Sequence, residues 1–337
     1  MKSEKKLNSY YLYFVNVIKK NSFNDEEILR ELKDKFPDIH GEFITEIGRH
    51  YEFKSIIIPI EDGICYAIPL QTPDEILLEN NIIESMGERL INSEHKWVLP
   101  PFIENYNVVK LMETEHGIKA EKLLGSIYNP FYIARQLLGT YQKIPEFVSH
   151  ILLINEAVES FFSKHTASSI TLLLTIIEGI SREYCENNNI HFDNIGSTDA
   201  FKAVIRNRKQ VWRDKVLFQI YKVKKFLKLP KDYYDETFLR RIDEGMDLLI
   251  SYENYGIDYL YKSNSEHPLN RHSILHGVNK EYYTPTNFYR LFSCLEVLAF
   301  SISLNPFYYS ADDFDEYKNL GQKFIKTIHF SENNAEA

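Results

Sequence analysis

TNFYRLFSCLEVLAFSISL, residues 286–304, sets Phe288, Leu291, Phe292, Leu295, Leu298, Ala299 and Ile302 at intervals of three and four. Apolar residues recurring at that interval line one side of an α-helix, so the spacing predicts a helix with a wide apolar stripe. Thr284 and Pro285 precede it as an N-cap and first-turn pair. The threonine oxygen can accept a backbone N–H, and proline lacks the N–H that this position leaves unbonded anyway. Residues 146–163, 167–187, 198–216 and 235–262 read the same way, with Ile170, Leu173, Leu174, Ile177 and Ile180 striping the second. Long amphipathic helices separated by short breaks predict an up-and-down helical bundle over 141–330.

Toward the N-terminus the pattern shortens. Residues 8–20, 25–35 and 40–50 read as three short helices, with Asn24 or Asp25 capping the second. SIIIPI (55–60) and CYAIPL (65–70) read as two strands, joined at an Asp-Gly turn that favours a tight hairpin. Three helices and a hairpin over 1–72 follow the order of a winged helix-turn-helix. Its recognition helix would be HGEFITEIGRHY (40–51), whose Glu42 and Glu46 would face phosphate, so a structural or partner-recognition role is preferred. From 73 onward the signal is helical, interrupted near 98–102, 128–131 and 143–147. The expected fold is therefore mainly α: an N-terminal α+β accessory region, 1–140, carrying a short β-hairpin, then the helical domain. The polar tail 331–337 is expected to be disordered.

The 337 residues are 44% hydrophobic and 26% charged, as in a soluble globular protein. The net charge of −9 requires any polyanion partner to meet a local basic surface. Cys65, Cys185 and Cys294 have neither metal nor disulfide spacing and read as buried thiols in a reducing compartment. The N-terminus has no apolar run of the signal-peptide kind, and ITLLLTII (170–177) is too short to span a bilayer. A cytoplasmic location with no membrane contact is expected.

LNRHSILHG, residues 269–277, carries the chemistry. Pro268 suits the first helical position and Gly277 the left-handed residue that ends a helix, giving a short helix of two to three turns. Residues four apart lie about 40° apart around a helix and residues five apart about 140°. His272 and His276 then share a face, whereas Arg271 and His276 do not. Arg271 also sits in the N-terminal half, where the helix dipole disfavours a cation, so it wants an anionic partner. One reading is a capped, solvated polar helix. A second is a zinc pair of His272 and His276, which needs more ligands and has Ser273 where a zincin's general-base Glu would stand. The third is metal-independent RNA cleavage. An imidazole takes a proton from the ribose 2′-OH or gives one to the leaving oxygen, and a guanidinium offsets charge on the phosphate. RNA carries its own nucleophile, so one Arg and one His suffice.

Arg271-His272-Ser273-Ile274-Leu275-His276 resembles the Arg-polar-x(3–5)-His signature of the HEPN superfamily, over roughly residues 145–310. That family consists of helical bundles, many of them RNases of toxin–antitoxin, phage-defence and CRISPR systems. The resemblance implies a metal-independent endoribonuclease without cofactor, in a prokaryotic stress or defence system. It also implies a homodimer that joins two Arg–His motifs, with an antitoxin or defence protein as a further partner. Arg271, His276 and His272 would be catalytic and Asn270 supporting. In one toxin subgroup a Tyr stands two residues after the His; here that position is Val278, a departure from that subgroup.

Glu178 interrupts the apolar stripe of 167–187. It reads either as the partner of Arg182 one turn on or as the carboxylate that orients Arg271 or His272. Segment 206–228 supplies a basic surface. Arg206, Arg208, Lys209, Arg213, Lys222, Lys224 and Lys225 are the candidate RNA contacts, with Trp212 and Phe218 expected in the core. Two other functions stay open: a non-catalytic HEPN-like module binding RNA, a nucleotide or a protein, and a winged-helix regulator with a helical dimerisation domain.

Overall fold

The computed structural model describes residues 2–37, 39–44, 54–61, 63–101, 103–193, 199–220, 225–262, 269–305 and 314–335. The protein is mainly helical, and its described residues form one small sheet. It divides into two compact units, Met1–Ser85 with Gln210–Asp247, and Met86–Lys209 with Leu248–Ala337. This differs from the boundary expected near 140. Strand pairing returns 219–220 and 225–228 to the sheet of the N-terminal hairpin, while the helices after residue 86 pack into the core of the second unit.

In the first unit, α1 (Lys2–Tyr13) continues through a wider turn to Ile18. The next helix, α2 (Asp25–Lys35), starts at a capping box: Asn24 accepts the N–H of Glu27, and the Glu27 carboxylate accepts the N–H of Asn24. Among the described residues the strands are β1 (Glu42–Ile44), β2 (Ser55–Glu61), β3 (Ile64–Pro69), β4 (Gln219–Ile220) and β5 (Lys225–Lys228), ordered β1-β2-β3-β5-β4. The hairpin β2–β3 is where the two apolar runs and the Asp-Gly turn placed it. Gly63 in its turn has φ +74°, a conformation that favours glycine. The third short helix expected over 40–50 is absent at Glu42–Ile44. That stretch instead adds an edge strand, pairing Glu42 with Ile57 and Ile44 with Ser55. Residues 45–53, Glu46 among them, lie outside the described residues, so the winged-helix order is broken at 42–44.

The second unit is built on α3 (Ile151–Phe162), α4 (Thr166–Asn187), α5 (Asp199–Trp212, whose last residues pass into the first unit), α6 (Arg271–Leu275), α7 (Pro285–Ser303) and α8 (Phe314–Ala335). Helix α7 is its axis: every residue from Thr286 to Ile302 is buried. Its N-cap is Thr284, which accepts the N–H of Asn287 at 3.2 Å. Two expected helices are interrupted. Residues 146–163 break at Ser149–His150, and 235–262 break at Asp243, which accepts bonds from Trp212 Nε1 and the Met246 N–H.

The tail is also corrected, because α8 runs on to Ala335. Tyr317, Gly321 and Phe324, at helical spacing, bury one side of it against Phe131 and Phe162. That packing holds a stretch whose last residues are polar.

Two charged side chains lie buried in the mostly apolar helix α7. Glu296, fully buried, accepts from the hydroxyls of Tyr132 and Tyr141 and from the amide of Gln136. Burial pushes its carboxyl up to about 7. Arg290 meets Asn287 Oδ1 and His116 Nδ1, both at 3.0 Å. His116 packs on Trp97 with ring centroids 4.2 Å apart, and desolvation and then the Arg290 charge pull it down to about 4.

These shifts act oppositely on stability. The raised Glu296 contributes stability that is fully present below about 4.5 and lost as pH rises through about 7. The depressed His116 contributes stability present above about 6.5 and lost as pH falls through about 4. Urea unfolding of Glu296→Gln at pH 5 and pH 8 isolates the first. Relative to wild type, the variant should gain about 3 kcal/mol between the two pH values, at ~1.4 kcal/mol per pKa unit. An unchanged difference would contradict the buried network.

Candidate active site

The RHSIL turn, α6, is shorter than expected: five residues rather than two to three turns. Asn270 Oδ1 accepts the Ser273 N–H at 2.9 Å, so Asn270 and not Pro268 starts the helix. Pro268 lies outside the described residues. His276 is the C-cap, and Gly277 follows at φ +69°. The N–H of Gly277 bonds the carbonyl of Ile274 at 3.0 Å, and that of Val278 bonds Ser273 at 2.8 Å. This pair of bonds is a Schellman closure, which needs the left-handed residue that glycine supplies. Leu269 and Ile274, both buried, pin the turn to the unit.

Arg271 finds its anion on α4. Its Nη2 lies 2.6 Å from Glu178 Oε2, while Glu178 Oε1 accepts from Arg182 Nε at 2.9 Å. Glu178 thus serves both roles open to it, as partner of Arg182 and as orienter of Arg271; among the described residues it does not meet His272. Two guanidiniums share one carboxylate, so the trio keeps a net positive charge in a partly buried setting. Arg271 Nε is buried without a hydrogen-bond partner among the described residues. Behind the pair, the Tyr261 hydroxyl donates to the Leu174 carbonyl at 3.0 Å. Burial, with Glu178 adding and Arg271 opposing, raises that hydroxyl well above the ordinary range.

The two histidines stand apart from this anchor. Their rings are exposed and lie side by side, centroids 4.3 Å apart at 49°. Among the described residues neither imidazole has a hydrogen bond, so Arg271 and His276 are not hydrogen-bonded to each other, and no three His, Cys, Asp or Glu side chains converge as metal ligands. Leu275 and Val278, close to His276 in sequence, and Tyr283 five residues further on are large, apolar and exposed. The site is therefore an anchored guanidinium beside two open imidazoles with an apolar surround.

The basic segment is less uniform than its sequence. Arg206 and Lys209 both pair with Glu253, at 2.7 and 2.6 Å. Arg208 donates to the carbonyls of Ser301 and Ile302, at 2.9 and 3.2 Å, where a cation closes the C-terminus of α7. Arg213 forks onto Asp214. Lys222 and Lys224 lie outside the described residues, and Lys225 is placed only by its backbone in β5. Trp212 and Phe218 are buried, as expected. The three cysteines are buried free thiols.

Tyr261 and the Arg290–His116–Trp97 cluster went unnoticed in the sequence. The signal that singled out Glu178, a charge inside an apolar stripe, marks Arg290 and Glu296 equally well. No helix among the described residues is long and apolar enough to cross a membrane. No family model, no curated protein and no solved structure matches the chain.

Proposed function

We propose that the protein is a metal-independent endoribonuclease of the HEPN type, acting as a homodimer in a prokaryotic stress or defence system. The observation that carries this reading is the division of labour at the motif. Arg271 is held by Glu178 at 2.6 Å, while His272 and His276 remain open to a ligand. Glu178 fixes the guanidinium so that it can meet a phosphate without being reordered. An imidazole, His276 first, takes the proton of a ribose 2′-OH. The 2′-oxygen bonds to phosphorus, the 5′-oxygen leaves with a proton from a second acid, and the products end in a 2′,3′-cyclic phosphate and a 5′-OH. Charge gathering on the phosphate oxygens falls to Arg271.

Arg271 and His276 share no hydrogen bond within one chain among the described residues. A second copy, seated on the apolar surround of Leu275, Val278 and Tyr283, would bring the two motifs to one phosphodiester. RNA and that second copy are the partners; an antitoxin or defence protein would be a further one. To test this, the protein is incubated with single-stranded RNA in EDTA. Cleavage that persists and yields cyclic-phosphate ends is expected; cleavage abolished by EDTA and restored by a divalent ion would contradict it.

The alternative with a specific observation behind it is a non-catalytic HEPN-like module. Arg206, Arg208, Lys209 and Arg213 all have protein partners, which lowers the number of cations ready for an RNA backbone. RNA retention without cleavage under the same conditions would favour that reading.

A further inference from the structure

The first unit holds a cavity of about 720 Å³, the size of a small-molecule site. It lies on one face of the sheet. Ile64 and Tyr66 of β3 are register partners of Phe226 and Lys228 of β5, so these four side chains rise on the same side. Residues of α1, the turn after α5 and the turn at 231–234 wall it in.

Three features define what would fill it. First, its rim is basic in a chain of net charge −9. Lys215, Lys228 and Lys231 line it, exposed, and no carboxylate pairs with them among the described residues; its one acid, Asp214, is already taken by Arg213. Second, its floor is apolar and partly aromatic, with Ile64 and Phe226 rising into it and Tyr234 lining it. Third, Tyr66 is only 4% exposed and lines the cavity, and its hydroxyl is buried with no hydrogen-bond partner among the described residues. A buried hydroxyl without a partner is costly, so the cavity presents a polar group deep among apolar walls that wants a polar partner. An alkyl chain with an anionic head would satisfy the rim and the floor but leave Tyr66 unmet. A base and ribose on a phosphate chain would satisfy all three.

We propose that this cavity binds a nucleoside phosphate, with the phosphates at Lys215, Lys228 and Lys231 and the base or sugar against Phe226 and the Tyr66 hydroxyl. The site is independent of the RNase reading, because its evidence lies in other residues and its readout is binding.

The test is isothermal titration calorimetry on the full chain with ATP, GTP, CTP and UTP, and with inorganic phosphate and adenosine as the separate halves. At least one triphosphate should bind at one per chain, about tenfold or more tighter than either half. Lys228→Glu combined with Lys231→Glu should weaken it about tenfold or more, since both residues are exposed and act through charge. Tyr66→Phe should weaken it with no change in far-ultraviolet circular dichroism, and His276→Ala should leave it unchanged. Lys228→Gln is the milder variant should the double reversal perturb folding. Absence of binding by all four triphosphates, binding matched by phosphate alone, or binding indifferent to the lysine changes would overturn the assignment.

Discussion

His276→Ala should lower RNA cleavage in EDTA by about 10²–10⁴-fold, the loss expected for a general acid–base group. The fold should be untouched, because the ring is exposed and its one ring contact among the described residues is His272 at 4.3 Å between centroids. An unchanged thermal midpoint with lost activity therefore separates chemistry from folding. Arg271→Ala should reach a similar loss by another route. It removes the phosphate's partner and leaves Glu178 to Arg182 alone, which keeps the carboxylate paired. Arg271→Lys should recover little, since an ammonium cannot reproduce the planar fork. His272→Ala should cost less than His276→Ala if His276 leads. Cleavage indifferent to both His276→Ala and Arg271→Ala would exclude this site as the reaction centre.

The largest stability effect should come from Phe288→Ala. Phe288 is fully buried in α7 and lies parallel to Phe161, centroids 3.6 Å apart at 4°, with Phe292 at 5.9 Å behind it. Truncation removes the burial of a whole ring and leaves a cavity that several fixed aromatics cannot close, a cost of about 3–5 kcal/mol. Against a total stability of about 5–15 kcal/mol for a typical domain, that is a large fraction. Urea unfolding should show the midpoint falling with the slope retained, and Phe288→Leu should lose less than about 1.5 kcal/mol. A Phe288→Ala cost below about 1 kcal/mol would mean that α7 is not the axis of its unit.

What could be read from the residues follows how local the cause is. The stripe of α7, the β2–β3 hairpin, the Asn24 cap and the left-handed Gly277 each depend on neighbours a few residues away, and each is where the sequence placed it. Pairing at a distance was not legible. Nothing near Phe226 signals that β5 runs parallel to β3 more than 150 residues earlier, yet that pairing moves 210–247 into the first unit. Glu42–Ile44 likewise becomes a strand because an edge of β2 is available to it. The α8 helix hides in a polar stretch because three buried residues, spaced 317, 321 and 324, decide it.

At the candidate site, charge logic reached further than spacing. Arg271 in the first turn needed an anion, and Glu178 in an apolar stripe needed a cation; the structure joins them. The basic run 206–228 shows the opposite case. Its composition suggested one nucleic-acid surface, but Glu253, Asp214 and the end of α7 claim Arg206, Lys209, Arg213 and Arg208. Composition cannot show which cations a fold has already used.

The most direct measurement of the central claim is single-turnover cleavage, in EDTA, of a short single-stranded RNA and of the same strand with 2′-deoxyribose at the cleaved position. Cleavage of the first and none of the second at that position is the expected result, because the 2′-hydroxyl is the nucleophile that His276 would activate. Equal cleavage of both strands would contradict it.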